Sequence, residues 1–162
     1  MSRRNCTTDC TVSIPISELN GFINVKLKDG KYFAIQLMDE PLYESIVWGQ
    51  NMILPINKIY EYLNGEKVYW RVDEVHESVL TPFQKKMFET LLNEVSYGVI
   101  ITYGKLARWL RSSPRGVAMA LKYNTCPIVL PCHRVVSKGG IGGFSSGIKW
   151  KKYLLSLEGG KL

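Results

Sequence analysis

The 162-residue sequence has no apolar run approaching the roughly 18–20 residues that span a bilayer, and its opening "MSRRNCTTDC" lacks the apolar block of a secretion signal. A membrane span and an exported product are set aside, and the expected location is the cytoplasm, or the nucleus in a eukaryote. Histidine is scarce: with only 2 in the chain, His76 and His133, any chemistry that needs an imidazole has little choice. Cysteine is limited to Cys6, Cys10, Cys126 and Cys132, which in a reducing compartment are expected as thiols or metal ligands rather than structural disulfides. Cys6 and Cys10 with His76 form part of a zinc-site pattern, but no fourth ligand is evident, so no metal is expected.

Acidic residues are scarce in one half only. Residues 1–80 hold 11 Asp/Glu against 8 Lys/Arg, whereas residues 81–162 hold 3 against 13. A positive field concentrated in this way points to a polyanion, DNA or RNA first and an anionic membrane surface second, with a merely solubilising surface as the plain alternative.

What is present divides at the same place. The stretch "FINVKLKDGKYFAIQL" carries two β-prone runs, 22–27 and 32–37, joined across Asp29-Gly30, a hairpin signal. "VSIPI" predicts a third strand that Pro15 confines to an edge. A helix is expected over 56–64, stopped by Gly65, and "VYWRV" reads as another short strand. From Thr81 the texture is helical: Thr81 is placed as an N-cap, Pro82 as the first helical residue and Gln84 to complete a capping box. Thr102 caps a helix over 103–110, and Ser113-Pro114 starts another over 115–123, a helix-turn-helix pattern. In "IKWKKYLLSLEGG", Trp150, Tyr153, Leu154 and Leu157 share one helix face, Lys149, Lys151 and Lys152 are expected in water, and Gly159 ends the helix.

The chemistry gathers in "IVLPCHRVVSKGGIGGFSSG", where a thiol, an imidazole and a guanidinium are consecutive. A cysteine near pKa 8.5 is mostly protonated at neutral pH and needs a base to become a nucleophile. His133 is the local candidate, and a carboxylate beyond the ring would fix its tautomer. The basic half offers Glu89, Glu94 and Glu158 for that role, of which Glu158 ends a helix able to fold back. Cys126 is expected as a small buried hydrophobe.

"TYGKLARWL", "SPRGVAMALKYN", "PIVLPCHRVVSKGGIGGFSSG" and "KKYLLSLEG", in this order, resemble the methylated-DNA-protein-cysteine methyltransferases, also called O6-alkylguanine-DNA alkyltransferases. The likeness covers nearly all of 81–159; the first 80 residues share only a short strand-rich character. It implies an α+β fold, with a small N-terminal antiparallel-sheet, ribonuclease-H-like lobe over 1–80. A mainly helical C-terminal lobe over 81–162 would carry the helix-turn-helix, the alkyltransferase site and the DNA-binding surface. It departs from the family at Val95-Ser96, where relatives often have Ile-Pro, and in "RGVAMAL", which exchanges Gly and Ala relative to the common pattern.

The resemblance implies that Cys132 accepts the alkyl group and that His133 reaches it through a water, with Glu158 beyond. Tyr103 would donate a hydrogen bond to the flipped guanine and press on the target phosphate, and Lys151 would lie close to the reaction. Arg115 would take the extruded nucleotide's place in the stack, with Gly116, Ala118 and Lys122 beside it on the DNA. Asn124 would bridge the helix-turn-helix to the active-site segment. Together with Leu121, Pro127, Val135, Ser145 and Phe144, which stands where the family often has tyrosine, it would form the base pocket. The implied activity is DNA repair in one turnover by a monomer: alkyl transfer from O6-alkylguanine, and by extension O4-alkylthymine, in double-stranded DNA, with no cofactor and no metal. A lesion-binding relative without transfer, and a cysteine hydrolase built on Cys132 and His133, are the competing readings.

Overall fold

The computed structural model describes residues 9–43 and 54–160. Its first elements are three strands, β1 (Cys10–Ile16), β2 (Gly21–Lys28) and β3 (Lys31–Met38), hydrogen-bonded antiparallel in the order β1-β2-β3. Asp29 and Gly30 make the β2–β3 turn with φ of 51° and 72°, the left-handed pair that matches the twist of a two-residue hairpin. Pro15 sits opposite Phe22 on β1, an edge strand among the described residues, where a missing N–H leaves no ladder bond unmade.

Helix α1 (Leu54–Leu63) covers the expected stretch and buries Ile56, Ile59 and Tyr62, the i, i+3, i+6 face of its sequence. "VYWRV" is not a strand. Val68, Trp70 and Val72 are buried while Tyr69 and Arg71 face water, so the alternation was real, but among the described residues no neighbouring strand pairs with it. Lys58 Nζ takes the Tyr69 carbonyl at 2.8 Å and Glu74 the Arg71 N–H at 2.9 Å instead. Period-2 burial reports a half-covered surface and says nothing of who covers it.

Helix α2 (Pro82–Glu94) carries the expected capping box, with Gln84 N donating to Thr81 Oγ1 at 3.1 Å and Thr81 N to Gln84 Oε1 at 3.0 Å. The Gln84 amide also donates to the carbonyls of Ala120 and Tyr123, at 3.1 and 3.3 Å. These end helix α4 (Pro114–Lys122), so one side chain starts a helix and finishes another. Thr102 caps α3 (Tyr103–Trp109), and Ser113 caps α4 with Pro114 first in the helix.

Two short strands, β4 (Ile101–Thr102) and β5 (Val135–Val136), pair in parallel and set the start of α3 beside the segment that follows Cys132. The last helix, α5 (Ile148–Leu157), closes on Gly159 at φ 69°. Gly160 N bonds to Leu155 O and Gly159 N to Ser156 O at 2.9 and 3.0 Å, a Schellman pair that fixes Glu158 at the cap. Buried residues of β1–β3, α1, α2, α3, α4 and α5 belong to one contiguous apolar cluster. Gly21 admits the closest approach between its ends, since a Cβ there would lie 2.7 Å from the Trp150 ring.

Candidate active site and nucleic-acid interface

Cys132 is held by its backbone before any side chain acts. Pro131, at φ −80° and ψ 62°, makes an inverse γ-turn in which Cys132 N donates to Leu130 O at 2.7 Å. Asn124, just past α4, donates from Nδ2 to Leu130 O at 2.9 Å and to Cys132 Sγ at 3.1 Å, and its Oδ1 accepts from Cys126 N at 3.0 Å. The asparagine thus joins the helix-turn-helix to the cysteine segment and also touches the sulfur itself. Burial pushes the Cys132 thiol up to about 11, although the Asn124 hydrogen bond, the Lys151 charge and nearby backbone N–H groups pull the other way. In the resting protein the sulfur is therefore a neutral thiol.

In the next residue of the chain, His133, Nε2 lies 2.7 Å from Glu158 Oε1, both side chains fully buried. His133 Nδ1 is buried with no hydrogen-bond partner among the described residues. Burial lowers the imidazole, assisted by the Arg134 and Lys151 charges and opposed by Glu158, so the ring is neutral. With Nε2–H given to the carboxylate, Nδ1 keeps a lone pair.

Glu158 accepts more than the relay requires. Arg134 donates from Nε to Oε2 at 2.9 Å and from Nη2 to Oε1 at 3.1 Å, Tyr62 Oη donates to Oε1 at 2.8 Å, and Gly98 N donates to Oε2 at 3.3 Å. Burial by itself would raise this carboxyl, but the hydrogen bonds from His133 and Arg134, with the Arg134 charge, outweigh it and hold it well below the ordinary carboxylate range. Gly98, at φ 80°, has no room for a side chain, because a Cβ would stand 2.8 Å from Glu158 O.

Lys151 departs from the expected solvated face. It is fully buried, with Nζ donating to Val135 O at 2.7 Å and Gly143 O at 3.0 Å, and desolvation lowers it to about 8. Its head bridges β5 to the glycine-rich loop. Lys149 and Lys152 are exposed as expected.

A cavity of about 640 Å³ opens at Cys132. Tyr103, Arg115, Ala118, Leu121, Lys122, Asn124, Pro127, Phe144 and Ser145 line it together with Pro114, Ser137, Gly143 and Ser146. Tyr103 Oη lies 3.4 Å from Gly143 O across the mouth, and burial raises its phenol, which stays protonated. Ser145 Oγ donates to Lys122 O at 3.1 Å, tying the loop to α4. Of the residues expected at the base pocket, Val135 does not line the cavity, and Gly116, expected on the DNA face, is half-buried near the start of α4. Gly116 packs against the Ser112 and Ser113 hydroxyls, 3.1 and 3.2 Å from where a Cβ would be, and Val135 is buried in β5 with its carbonyl on Lys151. Exposed Arg115 and Lys122 line the opening, and Lys105, Arg108 and Arg111 are exposed on α3 and the turn after it, so the helix-turn-helix carries much of the positive charge of this half on its surface.

The remaining candidates have other occupations. Cys126 is a buried thiol raised to about 12 by desolvation. His76 faces Ser78 and Asp29, at 2.7 and 3.3 Å, and Cys6 lies outside the described residues. Among the described residues no group of three or more His, Cys, Asp or Glu side chains is arranged to hold a metal ion, and no helix is long and apolar enough to cross a membrane. Arg134 was visible in "PCHR" without a role. Tyr62 carried no chemical signal, only the general expectation that a buried tyrosine finds a partner for its hydroxyl.

The family model for the 6-O-methylguanine DNA methyltransferase DNA-binding domain matches residues 82–160. The methylated-DNA–protein-cysteine methyltransferase of Thermococcus kodakarensis is 56% identical over 82 residues, which are 51% of this chain and 47% of that protein. The matched stretch thus spans about half the length of such curated relatives. A crystal structure of O6-methylguanine-DNA methyltransferase from Pyrococcus kodakaraensis superposes with a TM-score of 0.72 at 30% identity, covering 92% of this chain and 98% of that one. Mycobacterium tuberculosis OGT in complex with DNA superposes with a TM-score of 0.70 at 25% identity, covering 91% and 92% of the two chains. With a fold shared over nearly the whole of the Pyrococcus protein and the cysteine segment inside the matched domain, the chain belongs to the methylated-DNA–protein-cysteine methyltransferase family.

Proposed function

We propose that the protein repairs DNA by moving the alkyl group of O6-alkylguanine, and by extension of O4-alkylthymine, onto Cys132 in a single irreversible turnover. The observation that carries this reading is a nucleophile-bearing cavity of about 640 Å³, within the range of small-molecule pockets, with a neutral base and its carboxylate buried at the residue that follows the cysteine. A paired base hides the atom to be attacked, so the nucleotide must leave the stack and enter this cavity. Arg115, exposed at the start of α4, fills the space it leaves, while Lys122, Ala118 and the backbone near Gly116 lie along the duplex, mostly against phosphates.

In the pocket the thiol proton passes through a water to His133 Nδ1 as sulfur attacks carbon. The S–C bond forms, the C–O bond breaks with its electron pair going to the purine oxygen, and Glu158 balances the imidazolium. Tyr103 gives the departing base a hydrogen bond that offsets its charge, and the base regains a proton to leave as guanine. Phe144, Leu121, Pro127, Ser145 and the segment around Val135 shape the pocket. Lys151 holds that segment to the glycine-rich loop and adds positive potential at the sulfur. The thioether is stable to water and thiols, so the protein is consumed. The step asks for no metal or cofactor, and a monomer in the cytoplasm, or the nucleus of a eukaryote, suffices for it. The N-terminal lobe, residues 1–80, and the alkyl-accepting lobe, 81–162, divide support from chemistry.

The test is label transfer from duplex DNA carrying radiolabelled O6-methylguanine. One equivalent is expected on the wild-type protein and none on Cys132→Ala, which still binds the DNA. Label on Cys132→Ala would refute the assignment.

A further inference from the structure

Glu158 Oε1 is shared by three donors, and one of them comes from far away in the sequence. Tyr62, on α1 in the strand-rich half, reaches Oε1 at 2.8 Å across 96 residues of chain, the same oxygen that His133 Nε2 approaches at 2.7 Å. Its ring is fully buried, tilted against Trp70 and edge-on to Tyr97 with centroids 6.1 Å from each, so the hydroxyl has little freedom to turn elsewhere. A hydrogen bond to a carboxylate oxygen withdraws negative charge from it. Two donors on one oxygen therefore compete, and the share Tyr62 takes is charge His133 does not feel.

We infer that Tyr62 is a positioning residue for the transfer: it aims the Glu158 carboxylate and restrains its pull on His133, keeping the imidazole neutral and its Nδ1 free to receive the thiol proton. The groups facing this cluster are Arg134 from the cysteine segment, Lys151 from α5, and Tyr97 beside Gly98. Arg134 and Lys151 also disfavour the imidazolium, whereas Glu158 favours it, so Tyr62 acts on the one attractive partner. Burial and the Glu158 anion hold the Tyr62 phenol far above its ordinary value, which keeps it a donor wherever the protein is folded. The strand-rich half thereby enters the chemistry through one hydroxyl.

The consequence for rate rests on the alkyl-transfer reading; the consequence for His133 does not. With 2 histidines in the chain, the His133 ring resonances are assignable by comparison with His76→Gln. In Tyr62→Phe, the His133 Nε2–H proton moves downfield at neutral pH as the ring takes a larger share of Oε1. The acid limb of the alkyl-transfer profile moves up by about half a unit or more. Site-specific 3-fluorotyrosine at position 62 keeps the packing and strengthens the donor, so both readouts move the opposite way. This second variant holds if Tyr62→Phe fails to fold. A His133 resonance unmoved by either change, in protein that still transfers alkyl groups, overturns the inference and leaves Tyr62 a packing residue. A resonance that moves as expected in a protein that transfers nothing leaves the inference standing and overturns the proposed function.

Discussion

The two halves of the molecule bury polar groups to different ends. In the strand-rich half, Ser13 and Asn24 are buried and bonded to each other, and they hold the backbone after β3: Asn24 takes Leu42 N and gives to Glu40 O, and Ser13 takes Tyr43 N. These are neutral groups satisfying backbone, an inexpensive way to pin a chain. In the helical half, His133, Arg134, Lys151 and Glu158 are all buried, three of them ionised at neutral pH. Desolvating charges is costly even when they pair, and an apolar core is often as stable. The difference teaches that one half pins its backbone with neutral groups while the other keeps a charged interior beside the cysteine segment, with Tyr62 a point where the two meet.

The sharpest way to break this contrast is Glu158→Gln. It leaves Arg134 buried without its carboxylate, and a loss of about 3–5 kcal/mol is expected in denaturant unfolding. Transfer measured on the remaining folded protein should slow by about 100-fold or more, since His133 loses its tautomer partner. Arg115→Ala should leave stability unchanged, as the side chain is exposed. It should slow transfer from duplex DNA by about 10–100-fold, on the scale of the few kcal/mol that unstacking costs, while transfer from the free O6-alkylguanine base stays the same. Ser13→Ala should cost about 1–3 kcal/mol with no change in transfer rate per folded molecule; a slowing comparable to that of Glu158→Gln would erase the division between halves. Smallest is Lys149→Ala, which removes the exposed ion pair with Asp39 and should change stability by no more than about 1 kcal/mol.

The elements whose rules are local were legible in the sequence. Asp29-Gly30, the Thr81 box and the Thr102 and Ser113 caps are decided within a few residues, and each stands where it was expected. "VYWRV" failed because pairing depends on a neighbour the stretch does not contain. Lys151 failed because lysine's place on a helix face was inferred from charge, whereas the carbonyls of Val135 and Gly143, 16 and 8 residues away, supply an interior for it. The cysteine, its imidazole and Glu158 could be named from chemistry and resemblance. The rest of the carboxylate's shell could not, since Tyr62 and Gly98 meet Glu158 only after the chain has closed on itself.

The central claim is that Cys132 rests as a buried neutral thiol and yields its proton to His133 during transfer, and the rate of single-turnover transfer against pH tests it most directly. Because burial lowers His133 in the folded protein, its neutral form persists as pH falls through the ordinary imidazole value of about 6.5. The rate should be flat through neutrality and fall only below that value, as the ring protonates. A rate that climbs about tenfold per pH unit from 7 toward the thiol's value of about 11 would contradict the account, since it would mean that solvent, and not His133, removes the proton.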